Sequence, residues 1–439
     1  IRQSGTAYYQ SSYEPWGYYA GYTYPGFDPL QYAIEEAHKR GLELHAWFNT
    51  FSVSSSQPGT IPVEHPEWIC RDQNGNPMSS YKAASPGLQA VRDYTVNVAM
   101  EIVRNYDIDG LHLDYVRWNE YDTDDMLRPA SQKEQETKLD GIFSDNTINK
   151  LTSPESTNRF LYDVEHPYSA GVPAGFSTWE DWWRWSVTEF VKALHDSIQT
   201  VKPWVRLSPA ALGKYMSGGA SGWNGYYVVY QDAALWFNQG YVEQLTPMHY
   251  HWLTGDEMFN ALTADWEPNI QQGIQAGRLY SCGPASYRLD ENNVWSNHVG
   301  IVNRMRDKTW VDGFQFFSYG SWKGYDYWDE AGSTFFGKKV KVRDINLVSQ
   351  PNSPSISLNQ IDSLNYEIVV TPPAGSIGNH WFVIYRSEDD ILNVSDDMII
   401  DIRFGNSQFS FVDSYSGLQN YNGTYKYYAT ALNRYWNES

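Results

Sequence analysis

Cysteine is scarce: Cys70 and Cys282 are the two in 439 residues. They fit neither a zinc cluster nor a disulfide scaffold, and two buried free thiols are the expectation. Long apolar runs are also missing. No stretch approaches the roughly 18 uncharged apolar residues that a membrane span needs. Neither end shows the charged-then-apolar pattern of a signal peptide. Basic residues are few, 32 Lys and Arg against 52 Asp and Glu, which leaves a net charge of -20. Nucleic acid and anionic membrane surfaces both need a positive partner, so both are excluded. No P-loop, Gly-rich nucleotide turn or Gly-x-Ser-x-Gly elbow occurs. Asp72-Gln73-Asn74-Gly75-Asn76 spaces oxygen ligands alternately but lacks the closing Glu of a calcium loop, and it reads as a turn. His249 and His251 are only a two-apart pair. Neither a metal nor a cofactor is expected.

Aromatic residues, by contrast, make up 16% of the chain, with 19 Trp and 34 Tyr. Such a composition excludes disorder. It supplies either core or the flat rings that sugar-binding clefts place beneath the C–H faces of pyranoses. Up to about Val340, helical and extended patterns alternate. Asp28 to Arg40 predicts a helix capped by Asp28 and stopped at Gly41. Helices are also predicted from Leu88 to Tyr106 and from Trp179, behind the cap Thr178, to Val201. Strands are predicted at Leu42–Phe48, Ile108–Asp114, Val205–Pro209, Val242–His249, Arg278–Cys282 and Val311–Phe317, with Ile1-Arg2-Gln3 as the stub of a seventh. Parallel βα units follow, and without a nucleotide turn they fit a (β/α)8 TIM-type barrel better than an open sheet. The count falls one unit short at the start, so the barrel is expected to lack its first βα unit. Lys138 to Ala174 has no clear period and reads as a long insertion or lid loop. Beyond the linker-like stretch at 350–355, short alternating runs predict a small all-β sandwich of seven strands, similar to a fibronectin type III domain. The expected domains are therefore 1–340 and 350–439.

In such a barrel the chemistry sits at the C-terminal ends of the strands. That rule selects Trp47 and Asn49, Asp114 with Arg117, Ser208, His249 and Tyr250, Tyr287 and Tyr319. Glycoside cleavage wants two carboxyl groups, one to protonate the leaving oxygen and one to attack or to activate water. Asp114 is the carboxylate sitting right at a strand end, and Glu120 follows six residues later on the loop. Arg117 is expected to hold Asp114 ionised, leaving Asp114 as nucleophile or base. Glu120, between Trp118 and Tyr121, is expected to be the protonated acid. Trp47, Trp118, Tyr250 and Trp252 are core residues or sugar platforms, and His249 lines the cleft or is a satisfied core histidine. Arg2, at the end of its stub, completes the candidate lining.

Three stretches resemble the glycosyl-hydrolase-like family ten domain. They are Pro25 to Leu30 continuing through Ala37 to Asn49, Tyr106 to Arg117, and Thr246-Pro247-Met248-His249-Tyr250. The resemblance covers roughly Ile1 to Val340. It implies a (β/α)8 barrel of bacterial envelope glycosidases, some similar to enzymes that cleave peptidoglycan glycans stripped of their peptides. It also implies a strand and a helix before Ile1, and a secreted or envelope location with a signal peptide lost upstream. Asp114 matches the acidic position of the family's Asp-Gly-x-x-x-Asp strand, and Glu120 matches a Glu that some members carry. Many members place a second Asp where this chain has Tyr115, a departure that points toward a different glycan. The expected function is hydrolysis of O-glycosidic bonds in a polysaccharide or oligosaccharide partner. A non-catalytic glycan-binding protein and a metal-dependent sugar deacetylase are the alternatives.

Overall fold

The computed structural model describes residues 1–124, 158–344, 349–375, 378–395, 397–414 and 424–439. They divide into two compact units: Ile1–Tyr32 with His45–Asp326, and Ala33–Leu44 with Tyr327–Ser439.

The first unit is mixed α/β. Strand β1 (Arg2–Gln3) turns back into β2 (Thr6–Ala7) and pairs in parallel with β3 (His45–Asn49). Next come β4 (Gly110–Asp114) and β5 (Arg206–Pro209), each parallel to the strand before it. Two short pieces, β6 (Gln244–Leu245) and β7 (Met248–His249), both pair in parallel with β8 (Leu279–Pro284). Last, β9 (Gly313–Phe314) pairs in parallel with β8. A bridge from Leu212 to Met248 carries the order across from β5 to β7. Parallel neighbours thus follow chain order. Among the described residues no pairing joins β9 back to β1, so the ring of hydrogen bonds expected of a barrel is not seen to close.

Register fixes which side chains share a face. Trp47 lies opposite His112, Asn49 opposite Asp114, and His112 opposite Ser208. The alternation therefore puts His45, Trp47, Asn49, Gly110, His112, Asp114, Arg206 and Ser208 on one side. Ala46, Phe48, Leu111, Leu113 and Leu207 fall on the other, all buried. One face is apolar and the other carries the chemistry. Gly110 is required here: a Cβ would lie 2.3 Å from His45 Nδ1. That space holds the imidazole, whose Nε2 is 3.0 Å from Arg206 Nη2.

The helices form for the reasons their sequences give. Pro29–Lys39 begins behind Asp28, whose Oδ1 accepts from the N–H groups of Leu30 and Gln31. Gln89–Asn105 buries Val91, Thr95, Val98, Ile102 and Val103 at helical spacing. In Trp179–Val201, Thr178 Oγ1 accepts from Asp181 N and the face Trp182, Val187, Phe190, Leu194 is buried. No helix among the described residues is long and apolar enough to cross a membrane. Of the expected Lys138–Ala174 insertion, residues 138–157 lie outside the described residues. The rest is tied down: Tyr162 exchanges both backbone hydrogen bonds with Arg71 on the loop after β3. Cys70 and Cys282 are free and buried. Asp72 closes the turn read from the sequence, accepting from the N–H groups of Asn74 and Asn76.

The second unit holds two antiparallel sheets. One is β10 (Ser355–Gln360), β11 (Asn365–Thr371) and β14 (Phe409–Ser414). The other is β13 (Met398–Gly405), β12 (His380–Ser387) and β15 (Lys426–Leu432). Six strands are present among the described residues, where seven were expected. Both faces of β12 are buried. Phe382 and Ile384 cluster with Ile368, Val370 and Ile400, while Trp381, Val383 and Tyr385 cluster with Ile402 and Trp436. Residues 33–44 cover that second face. His38 meets the Trp381 ring edge-on at 5.6 Å, and Trp436 Nε1 donates to Glu43 at 2.5 Å. This packing explains why the unit includes 33–44 and starts again at Tyr327, rather than at the linker near 350.

Candidate functional site

The site is built around the last residue of β4. Asp114 is half-buried on the polar face of the sheet. Its Oδ2 accepts from Trp47 Nε1 at 3.2 Å and its Oδ1 from the backbone N–H of Tyr115 at 2.7 Å. Tyr115 turns the chain with φ +51°, a left-handed conformation that a non-glycine residue adopts at a cost of roughly 1–3 kcal/mol. This turn carries the loop away from the strand and leaves the carboxyl at the edge. Burial raises the Asp114 pKa, against the charge of Arg117 and the two hydrogen bonds, which lower it.

Arg117 and Glu120 form the second element. Arg117 Nη2 lies 3.1 Å and Nε 3.4 Å from the Glu120 carboxylate, with both side chains largely buried. The Arg117 guanidinium also lies over the Tyr115 ring at 4.8 Å. The expectation that Arg117 binds and ionises Asp114 is corrected here. The fork closes on Glu120 three residues ahead, and burial dominates at Asp114. With Phe51, Tyr81 and Lys82, the residues Tyr115, Arg117 and Glu120 line a small open cleft of about 20 Å³. Tyr81, which no motif singles out, places its hydroxyl 3.0 Å from that of Tyr115.

The other expected residues separate into two groups. Trp47 is 43% exposed although it sits in mid-strand, and its indole N–H is turned to the Asp114 carboxyl. Tyr250 stacks on Phe317 and meets Tyr287 edge-on, and the charge of Asp114 acts on its hydroxyl. Tyr319 is 70% exposed. Asn49 is buried opposite Asp114 with its Oδ1 unpartnered, and Arg117 Nη1 is likewise buried without a hydrogen bond. These two atoms are unspent at the site.

Four expected residues are structural instead. Arg2 is buried, paired with Glu14 at 2.6 Å and bonded to the backbone carbonyls of Asn49 and Thr50. Trp118 is fully buried, its Nε1 donating to Trp183 O at 2.9 Å, so it offers no face to a sugar. Ser208 is buried against His112 Nδ1 at 2.9 Å. His249 is fully enclosed, with Tyr280 Oη at 3.1 Å from Nε2 and Gly283 N donating to Nδ1. Burial, reinforced by His251, lowers the His249 pKa to about 3, so the ring is uncharged near neutrality. The histidine that sequence reading passed over is His112. It sits directly below Asp114 in the β4 alternation and bonds Ser208 and Gln315. The Gly-Leu-His-Leu-Asp pattern contained that signal.

The chain belongs to the glycosyl hydrolase-like 10 family, whose profile matches residues 1–295. Two curated relatives carry the match further. The glycosyl hydrolase YngK of Bacillus subtilis is 28% identical over 329 residues, 70% of this chain and 55% of that protein. The glycosyl hydrolase DigH of Escherichia coli is 24% identical over 316 residues, 66% of this chain and 62% of that protein. The chain thus spans little more than half the length of these relatives. Among solved structures, the PgaB (BpsB) glycoside hydrolase domain of Bordetella bronchiseptica overlaps 74% of this chain and 82% of that one, at 9% identity and a TM-score of 0.45.

Proposed function

We propose that this protein is a glycoside hydrolase on a (β/α)8-type scaffold, secreted or held in a bacterial envelope, with peptidoglycan glycan strands as the leading substrate. The second unit is read as a fibronectin type III-like sandwich, which its three-plus-three antiparallel strands support. The observation that carries the catalytic reading is the Asp114 carboxyl, half-buried at the end of β4 beneath an exposed indole that donates to it. Burial favours its protonated form, so Asp114 is the general acid that protonates the glycosidic oxygen. Glu120, paired with Arg117, is the partner that attacks the anomeric carbon or deprotonates water. Carboxyl groups about 5 Å apart in the working complex give retention, and about 6.5–9.5 Å gives inversion. The open ring of Trp47 supplies a sugar platform, with Asn49, Tyr250, Tyr287 and Tyr319 around it.

The test is a panel of glycans, including peptide-free peptidoglycan strands, with product masses read for the wild type, Asp114→Asn and Glu120→Gln. Shortened chains that carry one added water, and their loss in both variants, support the reading. Binding without cleavage in the wild type and in Asp114→Asn assigns the chain to glycan binding instead. Loss of acetyl groups that a chelator abolishes assigns it to deacetylation.

A further inference from the structure

A second cavity, of about 290 Å³, shares no residue with the cleft at Arg117 and Glu120. Its walls are Met216, Ser217, Trp252, Ala264, Asp265 and Asn269. The fold explains its place. The Leu212–Met248 bridge sets the loops after β5 and β7 side by side, and both leave the same end of the parallel sheet as Asp114. Gly213 allows that approach, because a Cβ would lie 2.3 Å from Met248 O. After β7, the helix Gly255–Ala261 widens into a π turn at Leu262–Trp266, a distortion frequent at functional sites. Trp266 Nε1 donates to Gly213 O at 2.7 Å and pins the turn to the β5 loop.

The lining has a definite chemistry. Asp265, 7% exposed, accepts from the backbone N–H groups of Tyr215 and Met216 at 2.7 and 2.9 Å, which fixes the loop and offsets its charge. Asn269 Nδ2 donates one hydrogen to Asp265 O at 2.6 Å, leaving its other N–H and its side-chain oxygen to a ligand. Ser217 adds a hydroxyl and Trp252 a half-buried indole. No lysine or arginine lines the cavity, and its one charged side chain is a carboxylate. Anions are therefore rejected. Polar side chains and an indole in one lining suit a neutral, hydroxyl-rich ring.

We infer that this cavity is a distal sugar subsite, which holds one neutral pyranose of a longer chain while another part of that chain lies at Asp114. The inference rests on the glycan reading above. The test is titration calorimetry on the full chain in the Asp114→Asn background. The probes are the dimer and pentamer of β-1,4-linked N-acetylglucosamine, cellobiose, cellopentaose and choline. Trp252→Ala is expected to weaken a pentamer about tenfold, the worth of one aromatic face, and to leave its dimer unchanged. Trp252→Phe is expected to restore most of the loss, which separates ring stacking from misfolding. Equal pentamer affinity with and without the ring overturns the subsite, as do failure of every oligosaccharide to bind and choline binding more tightly than any of them. Failure of the catalytic reading looks different: Asp114→Asn then cleaves at the wild-type rate, while the pentamer-to-dimer comparison in Trp252→Ala still reports on the cavity.

Discussion

The polar face of the sheet makes this protein acid-sensitive, and the size of the effect follows from two histidines. His112 is enclosed between Ser208, Thr246 and Gln315, and burial, with His45 nearby, lowers its pKa to about 3. His249 is likewise lowered to about 3. In the unfolded chain both return to the ordinary value near 6.5. Between those limits the unfolded state binds protons that the native state refuses. Stability therefore rises with pH across this window and falls as pH drops from about 6.5 toward 3. From pH 7 to pH 5 each such histidine costs about 2 kcal/mol, so the pair removes about 4 kcal/mol from a total that is typically 5–15. His112→Gln keeps a polar side chain beside Ser208 but deletes one titrating site. Guanidinium unfolding followed by tryptophan fluorescence at the two pH values measures the difference. The wild type is expected to lose about 2 kcal/mol more than His112→Gln loses. Equal losses in the two proteins would refute the buried neutral imidazole.

Other perturbations test single contacts. Gly110→Ala pushes a methyl group into the His45 ring; its melting temperature should fall with a loss of roughly 1–3 kcal/mol, as overpacking does. Trp118→Phe leaves the Trp183 carbonyl without its indole donor. It should lower stability by about 1–3 kcal/mol while leaving turnover of a cleaved glycan unchanged in a steady-state assay, since Trp118 is core and no platform. Arg117→Lys replaces a two-point fork on Glu120 by a point charge, and kcat should drop roughly tenfold or more. The basic limb of the kcat/KM profile reports the acid Asp114, so activity falls as pH rises through its raised pKa. Trp47→Phe removes a hydrogen bond that favours the ionised form, and that limb should move to higher pH.

Much of the site was legible because β4 alternates so cleanly. Leu111 and Leu113 are buried on one side, which leaves Gly110, His112 and Asp114 together on the other. Helix ends were legible from Asp28 and Thr178, whose caps form as read. What failed depends on contacts between distant segments. Trp118 reads as a platform until Trp183, on a helix 65 residues on, accepts its N–H. His112 stands in mid-strand and His249 at a strand end, and the pattern does not tell how far the fold closes over each. Arg117 lies three residues from both Asp114 and Glu120, so spacing gave no reason to prefer one; the turn at Tyr115 decides it. The second unit takes in residues 33–44 because the Trp381 face needs a cover, and nothing in the linker near 350 announces that.

The measurement that bears most directly on the central claim is the rate of glycan cleavage by Asp114→Asn. It should be read by mass spectrometry on whichever glycan the wild type shortens, beside a melting curve of each protein. Loss of several orders of magnitude in turnover with an unchanged melt is the expected result, because the amide cannot deliver the proton to the leaving oxygen. Cleavage at the wild-type rate would contradict the account, as would a wild-type protein that leaves every glycan on the panel intact.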